Sequence, residues 1–227
     1  MTTVIDIGAK FGNPVARIFE PWNPEVITSG ITLKFLKETL PTGKIDLLCF
    51  GGGMDIHPSL YFHRNVASDC EDVPSFRDLF EIEVWKLCQK YSVPVLGICR
   101  GSQFVCAMSG GELIQDIGYG HDMNHKLTLD DGREIPMTTT HHQMMWPNKS
   151  KNYMLIAWKD NKRSPDQYNY DHSKIKDPDF SKEPEIVYFS KTNVLAVQGH
   201  PEYYPDMNCA SVTYIRELVT KYLGVEE

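Results

Sequence analysis

The stretch that most limits what this chain can fold into is Pro94-Val95-Leu96-Gly97-Ile98-Cys99-Arg100-Gly101-Ser102-Gln103. A short apolar run stops at a glycine-bracketed cysteine, and helical spacing begins directly after it. Strand, tight turn and helix in that order make a nucleophile elbow, the G-x-S-x-G device with cysteine in place of serine. So sharp a turn needs glycine wherever a Cβ would strike the neighbouring backbone. The first N–H groups of the helix lack intrahelical partners and carry partial positive charge, which favours an anionic sulfur and a developing oxyanion. A buried structural cysteine at a strand end is the competing reading of the same residues.

The surrounding chain repeats the alternation that such a turn requires. Ile45-Asp46-Leu47-Leu48-Cys49-Phe50 reads as an interior parallel strand and runs into Gly51-Gly52-Gly53. Apolar residues at helical spacing over 76–91 predict the clearest helix, with Phe76, Leu79 and Phe80 on its apolar face. Earlier, Val4-Ile5-Asp6-Ile7 predicts a first strand, and residues 31–40 a helix stopped by Pro41-Thr42-Gly43. Later, residues 126–140 predict a hairpin turning at Asp131-Gly132, and residues 153–158, 185–190 and 193–198 predict strands. The last helix is expected over 208–222, with a fraying tail at 224–227. Strands alternating with helices predict an α/β, doubly wound, mostly parallel sheet flanked by helices, with its site at the carboxyl ends of the strands. A single domain over 1–227 is expected, carrying an inserted loop at 159–184 that is either mobile or a lid over a site.

Composition narrows the function. The chain has 227 residues, 41% of them apolar, enough for a sizeable core. Its formal net charge of −7, without a Lys/Arg run, argues against nucleic acid and membrane surfaces as partners. No apolar stretch is long enough to span a bilayer and no basic-then-apolar leader opens the chain, so a cytoplasmic protein is expected. The six cysteines form no C-x-x-C pair, and His57, His63, Cys70, Asp55 and Asp72 match no standard ligand spacing. Free thiols, no metal and no organic cofactor are therefore expected.

Two further features bear on chemistry. Glycines 51 to 53 bare their backbone N–H groups after a strand, as half of an oxyanion hole would, although by themselves they read first as a flexible turn. Val194-Leu195-Ala196-Val197-Gln198 predicts a strand ending in Gly199-His200-Pro201-Glu202. Proline restricts the residue before it to extended conformations, so His200 and Glu202 are expected to project to one side, the carboxylate orienting the imidazole. A strand-end histidine beside a solvated glutamate is the plainer alternative. With an elbow cysteine in the same chain, the pattern gains the nucleophile, base and third-group logic of covalent catalysis.

These stretches, with Phe50-Gly51-Gly52-Gly53-Met54-Asp55, Arg77-Asp78-Leu79-Phe80-Glu81, Gly110-Gly111-Glu112-Leu113 and His141-His142-Gln143, stand in an order that resembles the class I glutamine amidotransferase-like superfamily. Within it the chain is most similar to the γ-glutamyl hydrolase and γ-glutamyl-γ-aminobutyrate hydrolase group. The resemblance covers roughly residues 45–205 and implies a flavodoxin-like fold. It implies Cys99 as nucleophile, His200 as general base and acid, and Glu202 as its orienter. Gly52 or Gly53 with Arg100 would form the oxyanion hole, and Gln103, His142 and Gln143 would meet the substrate, a small γ-glutamyl compound. The implied reaction is hydrolysis of a γ-glutamyl amide through a glutamyl thioester. The alternative is a glutaminase subunit that delivers ammonia to a synthetase or ligase partner; a homodimer is also expected. Departures are Gly199, where an aromatic residue is usual and whose smallness predicts a wider pocket, and Thr139-Thr140 before the His-His-Gln element.

Overall fold

A computed structural model describes residues 1–118, 124–147, 152–176 and 178–227. In chain order the strands are β1 (Thr3–Asp6), β2 (Glu25–Ile27), β3 (Leu47–Phe50), β4 (Val95–Ile98), β5 (Glu112–Ile114), β6 (His125–Leu129), β7 (Glu134–Met137), β8 (Met144–Trp146), β9 (Tyr153–Asp160), β10 (Lys182–Phe189) and β11 (Val194–Val197). The α-helices are α1 (Ile7–Lys10), α2 (Leu33–Thr39), α3 (Phe76–Tyr91), α4 (Arg100–Met108) and α5 (Ala210–Leu218). Nine strands form one mixed sheet in the order β2-β1-β3-β4-β11-β10-β9-β6-β7, and β5 pairs with β8 in a small second sheet. From β2 to β11 the neighbours run parallel, and from β11 to β7 they run antiparallel.

The double winding follows from the two-residue period of a strand. Val4, Leu47, Cys49, Leu96 and Ile98 point into one apolar cluster, closed by α5 and the 3₁₀ segment Ala16–Trp22. Their chain neighbours Ile5, Leu48, Phe50 and Val95 point into a second, closed by α2, α3 and α4. Because β3, β4 and β11 are buried at every residue, each reads as an unbroken apolar run.

Three expectations need correction. Helix α3 starts with a Ser75–Asp78 capping box, but its Phe76 and Leu79 are exposed. The inner face of its first turns is taken instead by Asp78 and Glu81, buried because both pair with the buried Arg100. The 159–184 stretch is strand at both ends, and between them Tyr168, Tyr170, Ile175 and Phe180 pack with Ile114, Met144 and Trp146 in a third apolar cluster. A backbone bridge between Asn169 and Asp116 ties it down further; Asp177 lies outside the described residues. The tail does not fray: Val225 is buried, and its carbonyl oxygen accepts from Thr220 Oγ1 at 2.9 Å. Among the described residues, no helix is long and apolar enough to cross a membrane.

Candidate active site

Cys99 sits between β4 and α4 with φ 51° and ψ −112°, a conformation that L-residues rarely adopt. Backbone strain of this kind costs about 1–3 kcal/mol and persists only where the surroundings hold it. Here they do: Cys99 N–H donates to Val197 O at 2.8 Å, while Cys99 O accepts from Ser102 Oγ at 2.6 Å and from Gln103 N–H at 3.1 Å. The flanking glycines serve close approach. A Cβ at Gly101 would lie 2.2 Å from Phe50 O, and one at Gly97 would lie 2.6 Å from Gly101 O. The helix can thus start directly against two strand ends, with the thiol at its N-terminus.

His200 follows β11, the strand beside β4, so the sheet register brings it to the elbow. Its Nδ1–H donates to Glu202 Oε1 at 2.7 Å. The other ring nitrogen is therefore the one left to face Cys99, whose side chain is close enough to raise the pKa of the ring. Burial works against a charged ring, but the hydrogen bonds and negative charges of Cys99 and Glu202 outweigh it and push His200 up to about 10. The extended geometry expected for Glu202 is corrected by the structure: Pro201–Tyr203 is a 3₁₀ turn, whose fixed proline φ suits its first position. The turn curls the carboxylate back to Nδ1. Tyr203, which the sequence reading missed although it adjoins Glu202, stacks on the His200 ring with centroids 4.2 Å apart and planes 4° apart.

The glycine loop after β3 lies against this pair. A Cβ at Gly52 would be 3.0 Å from His200 Cε1 and 3.7 Å from Cys99 Cβ, so any larger residue would press on the imidazole. Gly53 has φ 136°. Arg100, whose N–H opens α4, buries its guanidinium against Asp78 and Glu81.

The residues expected to meet the substrate divide. Gln103 and Gln143 are buried, and each holds its neighbours in place: Gln103 Nε2 donates to Gln143 O at 3.3 Å, and Gln143 Nε2 to Ser68 Oγ at 2.7 Å. His142 is half-exposed and pairs with Asp55 at 3.0 Å, a hydrogen bond that raises its pKa. Gly199 does not widen a pocket. A Cβ there would meet Met137 Cγ at 2.2 Å, because His200 N–H bonds Thr138 O and draws the β7 end into that space. Of the histidines once weighed as ligands, His63 pairs in the interior with Glu112 at 2.9 Å and His57 caps the 3₁₀ turn that follows it.

Comparison with known proteins bears on the family and the fold. The Peptidase C26 family profile matches residues 34–164, which include Cys99 and the glycine loop. The glutamine amidotransferase-like protein YvdE of Lactococcus lactis subsp. lactis is 28% identical over 70% of this chain and 66% of its own length. Its homolog from subsp. cremoris is 30% identical over 54% of this chain and 65% of its own. The chain thus spans just under two thirds of the length of these relatives. A glutamine amidotransferase from Thermotoga maritima shares the fold at a TM-score of 0.56 and 13% identity, over 97% of this chain and 84% of that one. With more than half of its length matched and the same flavodoxin-like α/β architecture, the chain belongs to the Peptidase C26 family of class I glutamine amidotransferase-like proteins.

Proposed function

We propose that this protein hydrolyses a γ-glutamyl amide, either glutamine or a γ-glutamyl amine, with Cys99 as nucleophile, His200 as proton carrier and Glu202 as its orienter. The family supports the coarser statement, a cysteine-dependent amide hydrolase or amidotransferase. The observation that carries the finer one is the buried imidazole bound at Nδ1 to Glu202 at 2.7 Å, with its ring and Cys99 both facing the glycine loop at Gly52.

The chemistry then follows in order. The Cys99 sulfur attacks the γ-carbonyl carbon, and the carbonyl oxygen takes the negative charge, met by the N–H groups of Arg100 and of Gly52 or Gly53. Protonated His200 gives its proton to the leaving nitrogen as the C–N bond breaks, which leaves a glutamyl thioester and neutral imidazole. His200 next takes a proton from water, whose oxygen attacks the thioester; glutamate leaves and the thiol returns. His142, half-exposed near the turn that Gln103 and Gln143 hold, is the residue available to a substrate headgroup.

The test is release of amine or ammonia from γ-glutamyl amides and glutamine by wild type and Cys99→Ser, with mass spectrometry for a glutamyl adduct on Cys99. Activity lost in the variant and an adduct in wild type are expected. An unchanged rate in Cys99→Ser overturns the assignment. Activity that appears only after a cell fraction is added moves it to an ammonia-supplying subunit of a synthetase or ligase.

A further inference from the structure

Arg77 lies outside the Cys99–His200–Glu202 group, yet its fork is committed to the glycine loop. Its Nη1 donates to Gly52 O at 2.7 Å and its Nη2 to Gly51 O at 2.9 Å, while Nε donates to Glu81 Oε1 at 2.7 Å. We propose that Arg77 is the positioning residue of the oxyanion hole, setting the direction of the Gly52 and Gly53 N–H groups. This rests on the hydrolase reading above.

The argument is one of peptide geometry. In a trans peptide the C=O and the following N–H point in opposite directions. A guanidinium that takes the carbonyl oxygens of two successive units turns two successive N–H groups to the far side. Successive N–H groups on one side of a chain make an anion-binding concavity. The site is adjacent to the loop: a Cβ placed on Gly52 would come 3.0 Å from the His200 ring and 3.7 Å from Cys99 Cβ. Gly53 is glycine because its φ is 136°, and a Cβ there would also fall 2.5 Å from Arg77 Nη1.

The rest of the network holds that fork still. The ring of Phe11 lies 4.7 Å from Arg77 Cζ. Glu81 takes Arg77 with one oxygen and Arg100 with the other, and Asp78 takes the second arm of Arg100. One buried carboxylate therefore braces both donors of the hole: the glycine loop through Arg77, and the first amide of α4 through Arg100. Lysine cannot replace such a fork, because an ammonium is a point donor without a fixed plane.

The competing role is plain stability through the Glu81 pair, and kinetics separate the two. Loss of one oxyanion donor lowers kcat about 10²- to 10³-fold. Arg77→Ala is expected to lose kcat on that scale with KM little changed, and methylguanidine in the assay to restore part of it. Alkylation of Cys99 by iodoacetamide, a displacement that forms no oxyanion, should keep its wild-type rate. Arg77→Lys, which keeps the charge beside Glu81, should lose less kcat than Arg77→Ala and serves alone if the alanine variant does not fold. Alkylation that falls in step with kcat, or a kcat left at the wild-type value in either variant, overturns the inference while the hydrolase reading stands. Wild type without Cys99-dependent amide hydrolysis overturns both.

Discussion

The two ends of helix α4 carry one cysteine each, in opposite circumstances. Cys99, at the N-terminal end, is held at φ 51° and helps to raise the pKa of His200. Cys106, one turn from the C-terminal end, is fully buried, with its thiol pushed up to about 12 by burial. Its sulfur fills the space beside Gly111, where a Cβ would come within 2.5 Å of it. Both residues count as buried, Cys99 being only 7% exposed, so burial does not separate them. What separates them is the partner: Cys99 stands at a helix N-terminus beside His200, whose pKa it helps to raise, while the Cys106 sulfur meets the backbone oxygen of Glu112 at 3.7 Å in the interior.

The sharpest way to break this contrast is Cys99→Ala. It should lower amide hydrolysis by at least about 10³-fold, as removal of a covalent nucleophile does. Amine release is the measurement, and a residual rate that needs Cys106 would erase the distinction. Next comes Glu202→Gln, expected to lower kcat by about 10²- to 10⁴-fold because the ring loses the anion that fixes its tautomer. It should also move the pH profile. The acid form of His200 persists up to about 10 with Glu202 and Cys99 as partners, so activity that needs the imidazolium falls as pH rises through that value. Loss of the Glu202 charge lowers the ring's pKa, and the alkaline limb should shift toward neutral pH. A limb that stays in place shows that Glu202 does not act through His200.

Gly101→Ala sharpens the comparison from the backbone side. Its Cβ would sit 2.2 Å from Phe50 O, backbone that cannot step aside, so the helix must move off β3. Thermal unfolding should show a loss of about 1–3 kcal/mol, the range for overpacking, together with lower activity. Cys106→Ala should have the smallest effect. The smaller side chain leaves a void worth about 1 kcal/mol of stability, and hydrolysis should match wild type. Iodoacetamide should label Cys99 in the native protein and Cys106 only after denaturant is added.

Much of this site is legible in the residues. Gly97-x-Cys99-x-Gly101 after an apolar run can hardly be anything but a strand-to-helix turn, and the period-two and helical spacings set most element bounds to within a few residues. Where the reading failed, the cause was contact with a distant part of the chain. Phe76 and Leu79 were expected inside because spacing alone cannot show that Asp78 and Glu81 have a buried arginine to meet. Gly199 promised an open pocket because sequence does not show Met137 arriving from a hairpin more than sixty positions earlier. Arg77 stood in plain view, but nothing local links it to the carbonyls of Gly51 and Gly52.

Sequence by itself determined the main strands and helices, where the sharp turn must fall, and which residue types stand at strand ends. These follow from sterics and from burial periodicity over a few residues, so they need no partner. Only the tertiary structure decided which of those strand ends meet. The parallel pairing of β11 with β4 brings His200 to Cys99, and the Glu81 carboxylate ties Arg77 to Arg100. Such meetings depend on sheet order and side-chain packing across the fold, which no local pattern encodes.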